Sequence, residues 1–118
     1  MREGVRTVSK PWGHEEIWAE TPKYVGKYLH INAGHRLSRQ YHEKKEETIR
    51  VISGELHLEL GVGENLVSQK LLPGEVFHVT PKTVHRFCAV DENVILVEVS
   101  TPELDDVIRL QDDYTRDT

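Results

Sequence analysis

The chain has a single cysteine, Cys88, in 118 residues. An internal disulfide framework is therefore excluded, and a reducing, cytoplasmic setting is the expectation. Long apolar runs are missing too. Nothing approaches the ~20 consecutive apolar residues of a membrane-spanning helix, and MREGVRTVSK at the start lacks the apolar centre of a secretory signal. No membrane partner is expected. Nor is there an excess of basic charge: 15 Lys and Arg stand against 20 Asp and Glu, a net charge of −5. That balance excludes the basic footprint of a nucleic-acid surface and leaves a small polar molecule as the expected ligand. Helix signals are scarce, and no internal repeat, low-complexity segment or linker is evident. A chain of this length can remove roughly 65% of its unfolded surface from water, so one domain over residues 1–118 is expected.

What is present is short stretches of period-two alternation divided by turn residues. HEEIWAE (14–20) suits a strand ended by Thr21-Pro22. In YVGKYLHINA (24–33), Val25, Leu29 and Ile31 share one parity and Tyr24, Tyr28, His30 and Asn32 the other. Residues 37–41 are extended again. Thr48–Ile52 turns through Ser53-Gly54 into GELHLELG, where Leu56, Leu58 and Leu60 alternate with Glu55, His57 and Glu59. Four more strands are expected over 66–72, 76–80, 84–90 and 94–100, separated by Pro73-Gly74, Pro81-Lys82 and Asp91-Glu92-Asn93. Some nine short strands with regular turn signals describe a closed or double-sheet all-β architecture. Residues 1–13, broken by Pro11 and Gly13, read as an arm across an edge, anchored by Trp12, and Trp18 reads as core. The exception to the β pattern is expected at 102–110, where Pro102, the acids after it and the spacing of Leu104, Val107 and Ile108 suggest one short helix.

Two polar clusters interrupt this regularity. Within GHRLSRQYHEKKEETIRVISG (34–54), Gln40 and His42 share one strand face and Glu47 opens the next strand; PGEVFHVTPKTVHRF ends close to His85. Together they contain an amide oxygen, two imidazoles and a carboxylate suited to a divalent metal. Spacing alone does not bring them together. A solvated Gln-x-His pair, an ordinary surface acid and a hydrogen-bonded core histidine describe the same residues. His14, His30, His35 and His57 read as structural or surface groups, and Lys44 and Lys45 as solvated charge in a turn.

The longer patterns around these residues resemble a known family. The spacing G-x5-Q-x-H-x4-E-x6-G from Gly34 to Gly54 looks like the first motif of the cupins, with glutamine where a histidine usually stands, and PGEVFHVTPKTVH resembles the second. The resemblance implies a double-stranded β-helix barrel, with metal positions falling on Gln40, His42, Glu47 and His85. LSRQYH is similar to the LS-x-Q-x-H of phosphomannose isomerases, in which a glutamine ligates zinc. With KPWG, VISGEL and the closing LDDVIRLQDDYTR, the likeness extends over about Lys10 to Arg116 to the C-terminal domain of type II mannose-6-phosphate isomerase/mannose-1-phosphate guanylyltransferase enzymes. Arg39, Glu43, Lys44 and Thr115 depart from the usual pattern. No glycine-rich nucleotide loop is present, so nucleotidyl transfer is not implied.

The activity implied is aldose-ketose interconversion of a sugar phosphate through an enediol. A metal would polarise the carbonyl, His78 or Lys82 would relay the proton, and Arg36 or Arg86 would hold the phosphate. Zinc suits the mixed nitrogen and oxygen set; manganese, iron, cobalt and nickel accept the same ligands. A non-catalytic sugar-binding or regulatory cupin and an iron-dependent dioxygenase are the alternatives. A homodimer is expected, with the arm and the C-terminal helix available to cross to a second subunit.

Overall fold

Eleven strands in two antiparallel sheets build the chain, as seen in a computed structural model that describes residues 1–114. Thr115 and Arg116, at the end of the resemblance, lie outside the described residues. The strands are β1 (Arg6–Lys10), β2 (Gly13–Glu20), β3 (Val25–Ile31), β4 (Arg39–Tyr41), β5 (Glu47–Ser53), β6 (Leu56–Leu60), β7 (Val67–Leu71), β8 (Val76–Val79), β9 (His85–Cys88), β10 (Val94–Ser100) and β11 (Ile108–Gln111). One sheet has the order β1-β2-β3-β10-β5-β8 and the other β11-β4-β9-β6-β7. This is the expected all-β double-stranded barrel. Among the described residues no helix is long and apolar enough to cross a membrane.

The alternation read from the sequence decides which side chains enter. Leu29 and Ile31 of β3, Ile49 and Val51 of β5, Leu56 and Leu58 of β6, Phe87 of β9, and Val94 and Leu96 of β10 point between the sheets and are almost wholly buried. Each large apolar side chain removed from water in this way contributes about 1.5–3 kcal/mol, so this layer holds the two sheets together. Trp12 is 3% exposed and anchors the N-terminal segment as expected.

Three expectations are corrected. The arm does not merely lie across an edge: residues 6–10 form β1, in register with β2 from Arg6↔Ile17 to Lys10↔Gly13. Trp18 is 40% exposed, because Glu15 and Ile17 take the inward parity of β2; it packs instead on Gly26 from outside. The short C-terminal helix is absent. Residues 102–107 make tight turns (Leu104 N–H to Pro102 O, 2.8 Å; Val107 N–H to Asp105 O, 3.0 Å), and 108–111 pair with β4 as β11. The reason is local competition. The Asp106 carboxylate accepts the backbone N–H groups of Glu43, Lys44 and Lys45 at 2.7–3.0 Å, which fixes the chain in a non-helical path, and β-branched Val107 and Ile108 then suit a strand.

Gly54, which closes the first motif, sits at φ +82°, and a Cβ there would lie 2.2 Å from the Asn93 carbonyl oxygen. Gly54→Ala therefore meets both the left-handed penalty and a backbone clash. We expect it to lower unfolding free energy by on the order of 2–3 kcal/mol in urea denaturation; a change within experimental error would refute the reading.

Candidate metal centre

Strand pairing brings the distant motifs together. Gln40 of β4 is in register with His85 of β9, so both lie on one face of their sheet, and His42 follows two residues later on that face. Glu47 enters from the opposite sheet at the start of β5, inward like Ile49 and Val51. His42, Glu47 and His85 are 1–2% exposed, and their ligand atoms lie within 4.8 Å of one another.

Their hydrogen bonds orient the donor atoms. Nδ1 of His42 donates to the Asp106 carbonyl at 2.6 Å, and Nδ1 of His85 to the Thr83 carbonyl at 2.8 Å. A carbonyl only accepts, so in each neutral imidazole the proton is on Nδ1 and the lone pair on Nε2. These Nε2 atoms sit 3.7 and 3.3 Å from the same oxygen, Glu47 Oε1. Acceptor thus faces acceptor. Among the described residues, five buried side-chain atoms lack a hydrogen-bond partner, and four of them are His42 Nε2, His85 Nε2 and both Glu47 oxygens. Such a group of converging lone pairs is costly to bury unless a cation joins them, and the donor set is one that a divalent transition ion accepts. The residues fit a metal. Gln40 adjoins them, its Oε1 accepting the Ser38 hydroxyl at 2.6 Å while a second lone pair remains on that oxygen.

Glu47 also ends a buried row of alternating charge. Lys45 Nζ is 3.0 Å from Glu47 and 3.2 Å from Glu98; Lys27 Nζ is 3.8 Å from Glu98 and 2.9 Å from Glu15. Burial alone would raise the Glu47 carboxyl, but His42 and His85 in their protonated forms, together with the Lys45 ammonium, hold it well below the usual carboxylate range; with both imidazoles neutral, Lys45 is the cation left beside it. For Glu98 the balance is reversed: burial and the neighbouring Glu47 raise it against the pull of Lys45 and Lys27. Lys45, desolvated yet held between two carboxylates, is raised above an ordinary lysine. The expectation that Lys45 is solvated is therefore corrected; it is 5% exposed because the Asp106 clamp folds its turn inward.

Next to His42 opens a cavity of about 300 Å³, lined also by Gln40 and Lys45, whereas Glu47 and His85 do not line it. Arg6, Lys10, Lys27 and Arg109 also line it, so five cations face the acids Glu15 and Asp105, in a chain whose net charge is −5. Its size is at the small end of ligand sites, about 300–1,000 Å³.

The other residues expected at the site lie elsewhere. His78 pairs with Thr48 on the outward parity of β8, since Val79 takes the inward one, and contacts Glu46 at 2.5 Å. Lys82 is an exposed turn residue at φ +68° whose N–H donates to the His42 carbonyl at 2.6 Å. Arg86 points to the outer face of β9, where it donates to the Leu37 carbonyl and to Asp113, and Arg36 holds the same Asp113. None of the four lines the cavity that His42 lines. Nearby, burial pushes the Cys88 thiol up to about 11.

Sequence reasoning passed over Glu15, Lys27, Glu98 and Asp106. A signal existed for two of them. Lys27 stands on the apolar parity of Val25, Leu29 and Ile31, and Glu98 on that of Val94 and Leu96; a charge on a strand's buried face needs a buried partner. Asp106 had no such mark, because its role depends on a turn 61–63 residues away.

Residues 27–100 match the family described as Cupin domain. Among solved structures, the chain is similar to the capsular polysaccharide assembling protein CapF of Staphylococcus aureus (TM-score 0.80, 13% identity, 93% of this chain and 35% of that one). It is also similar to KdgF of Halomonas sp. (0.73, 21%, 87% and 91%) and to oxalate decarboxylase of Bacillus subtilis (0.76, 13%, 90% and 30%). The chain thus spans about a third of the length of CapF. At these identities the likeness concerns the fold. No curated protein matches the chain in sequence.

Proposed function

Because the chain belongs to the cupin family, we propose that it is a divalent-metal cupin acting on a small anionic sugar, with aldose-ketose isomerisation of a sugar phosphate of the mannose 6-phosphate type as its reaction. The observation that carries this reading is the convergence of the orphaned His42, Glu47 and His85 atoms beside a small, cation-lined cavity. Those three residues would hold the ion, zinc by its donor preference, with Gln40 available as a fourth ligand. Bound there, it would supply a Lewis acid for a carbonyl.

The chain's own residues account for the rest. Lys10, Arg6 and Arg109 line the cavity and complement a phosphate, replacing Arg36 and Arg86 in that role. We assign proton transfer to Glu15 in place of His78 and Lys82. It is a cavity-lining carboxylate steadied by Lys27, and it takes the proton from C2 and returns it to C1 while a hydroxyl proton passes from O2 to O1. A homodimer and a cytoplasmic location belong to the same proposal. The first is supported by exposed Trp18, Tyr24 and Val99, the second by the lone, buried thiol.

The test is an assay of chelator-stripped protein reconstituted in turn with zinc, manganese, iron, cobalt and nickel, using mannose 6-phosphate and fructose 6-phosphate. We expect metal-dependent interconversion without oxygen uptake, with kcat of Glu15→Gln lower by about 10²-fold or more. Sugar phosphate binding in calorimetry without turnover would replace the isomerase with a binding protein. Metal-dependent oxygen consumption would replace it with an oxygenase.

A further inference from the structure

The outer face of the six-stranded sheet carries a second group of metal-ligating side chains. His14 of β2 and His30 of β3 are directly opposite each other in the antiparallel register. Glu16 lies two residues along β2 and so projects from the same face. The two imidazoles stack with centroids 4.2 Å apart and planes 10° apart, and both Nε2 atoms approach one oxygen, Glu16 Oε1, at 2.7 Å from His30 and 3.6 Å from His14. All three ligand atoms lie within 4.8 Å of one another.

We propose that His14, Glu16 and His30 form a surface site for a borderline divalent transition ion of the Cu²⁺, Ni²⁺ or Zn²⁺ class, separate from the buried centre. The donor separations are close to what such an ion requires, while the stacked imidazoles must turn about their side-chain torsions for both Nε2 lone pairs to converge on it. Donors about 2.0–2.1 Å from a tetrahedral ion stand about 3.3 Å apart, and the two contacts to Glu16 bracket that separation. The backbone is fixed by strand pairing, so only side-chain torsions need adjust. The three side chains are 26–39% exposed, so water completes the coordination sphere and the ion exchanges freely. The set of two imidazoles and one carboxylate excludes calcium and magnesium, which prefer oxygen ligands.

The location separates this site from the first. Glu15 and Ile17 of β2 and Leu29 and Ile31 of β3 take the inward parity, so the sheet itself lies between the two groups. An ion here would tie β2 to β3. Glu15 sits between His14 and Glu16 on β2, so the ion would brace from outside the strand that presents Glu15 to the cavity.

The test is a titration of the metal-stripped full chain with Cu²⁺ and Zn²⁺, read by calorimetric stoichiometry and by the electron paramagnetic resonance of bound Cu²⁺. Wild type should bind one equivalent more than the doubly substituted His14→Ala/His30→Ala chain. The His42→Ala/His85→Ala chain should keep the surface equivalent, with a Cu²⁺ spectrum equal to the difference between wild type and the His14→Ala/His30→Ala chain. Because the comparison is a difference, it stands even if the buried centre takes no metal. The His14 and His30 substitutions are on the surface, and a far-ultraviolet dichroism spectrum and metal-free Tm matching wild type verify the fold. Equal stoichiometry in wild type and His14→Ala/His30→Ala overturns the proposal.

Discussion

Replacing Lys45 by methionine should lower the stability of the metal-free protein by about 3–5 kcal/mol, the range for breaking a buried ion pair and leaving its partner uncompensated. Lys45 is the only cation within 4.0 Å of Glu47 among the described lysines and arginines, and it also reaches Glu98. Without it, two carboxylates buried to 3% exposure or less confront each other across the start of β5. Methionine keeps most of the lysine's volume, so the loss is electrostatic and not a cavity. A divalent ion at Glu47 would replace the missing charge, so zinc should stabilise Lys45→Met more than it stabilises wild type. Urea denaturation with chelator and with zinc measures both quantities. A chelated variant within about 1 kcal/mol of wild type would remove the row of alternating charge from the account of stability.

The second large effect is expected at the centre itself. In the His42→Ala/His85→Ala chain the buried equivalent of metal should vanish, because Glu47 and the neutral amide of Gln40 leave no nitrogen donor and too few ligands to hold a transition ion. Wild type at 100 times its dissociation constant should gain about 2.7 kcal/mol from the ion, and the doubly substituted chain should show no such gain from the buried centre. Elemental analysis gives the first result and thermal denaturation across a metal series the second. The surface histidines are a confounding source of binding, so the comparison belongs in a His14→Ala/His30→Ala background. Equal metal content in that background with and without His42 and His85 would sink the assignment. Stripped of metal, the alanine chain also loses the acceptor-facing-acceptor contacts at Glu47 Oε1, so its apo stability should fall by less than two buried side-chain truncations ordinarily cost.

The sequence was informative where the physics is local. Period-two alternation in residues 25–31 and 56–60 dictates which side chains face inward whatever the sheets do next, and Leu29, Ile31, Leu56 and Leu58 are buried accordingly. Turn residues marked the breaks between strands, and the Gln-x-His spacing put Gln40 and His42 on one face. The pattern around Gly34–Gly54 also carried the family likeness, and residues 27–100 match that family.

Misreadings arose wherever a distant group outweighed the local signal. Pro102 and the acids behind it favour a helix in isolation, yet Asp106 spends its carboxylate on the turn at 43–45 and the chain continues as β11. Lys45 looks like one more charge in a polar turn until β10 brings Glu98 beside it. Trp18 has the composition of a core residue but the parity of a surface one.

Sequence by itself therefore determined β2 to β10, most of their inward faces and the residue types able to hold a metal, because each depends on nearby positions in the chain. Only the tertiary structure decided that His42 and His85 turn Nε2 toward Glu47, that a row of buried charge ends on that carboxylate, and that Arg86 and His78 face away from the cavity. These outcomes depend on which strands pair and in what register, and burial then magnifies each charge contact that pairing creates.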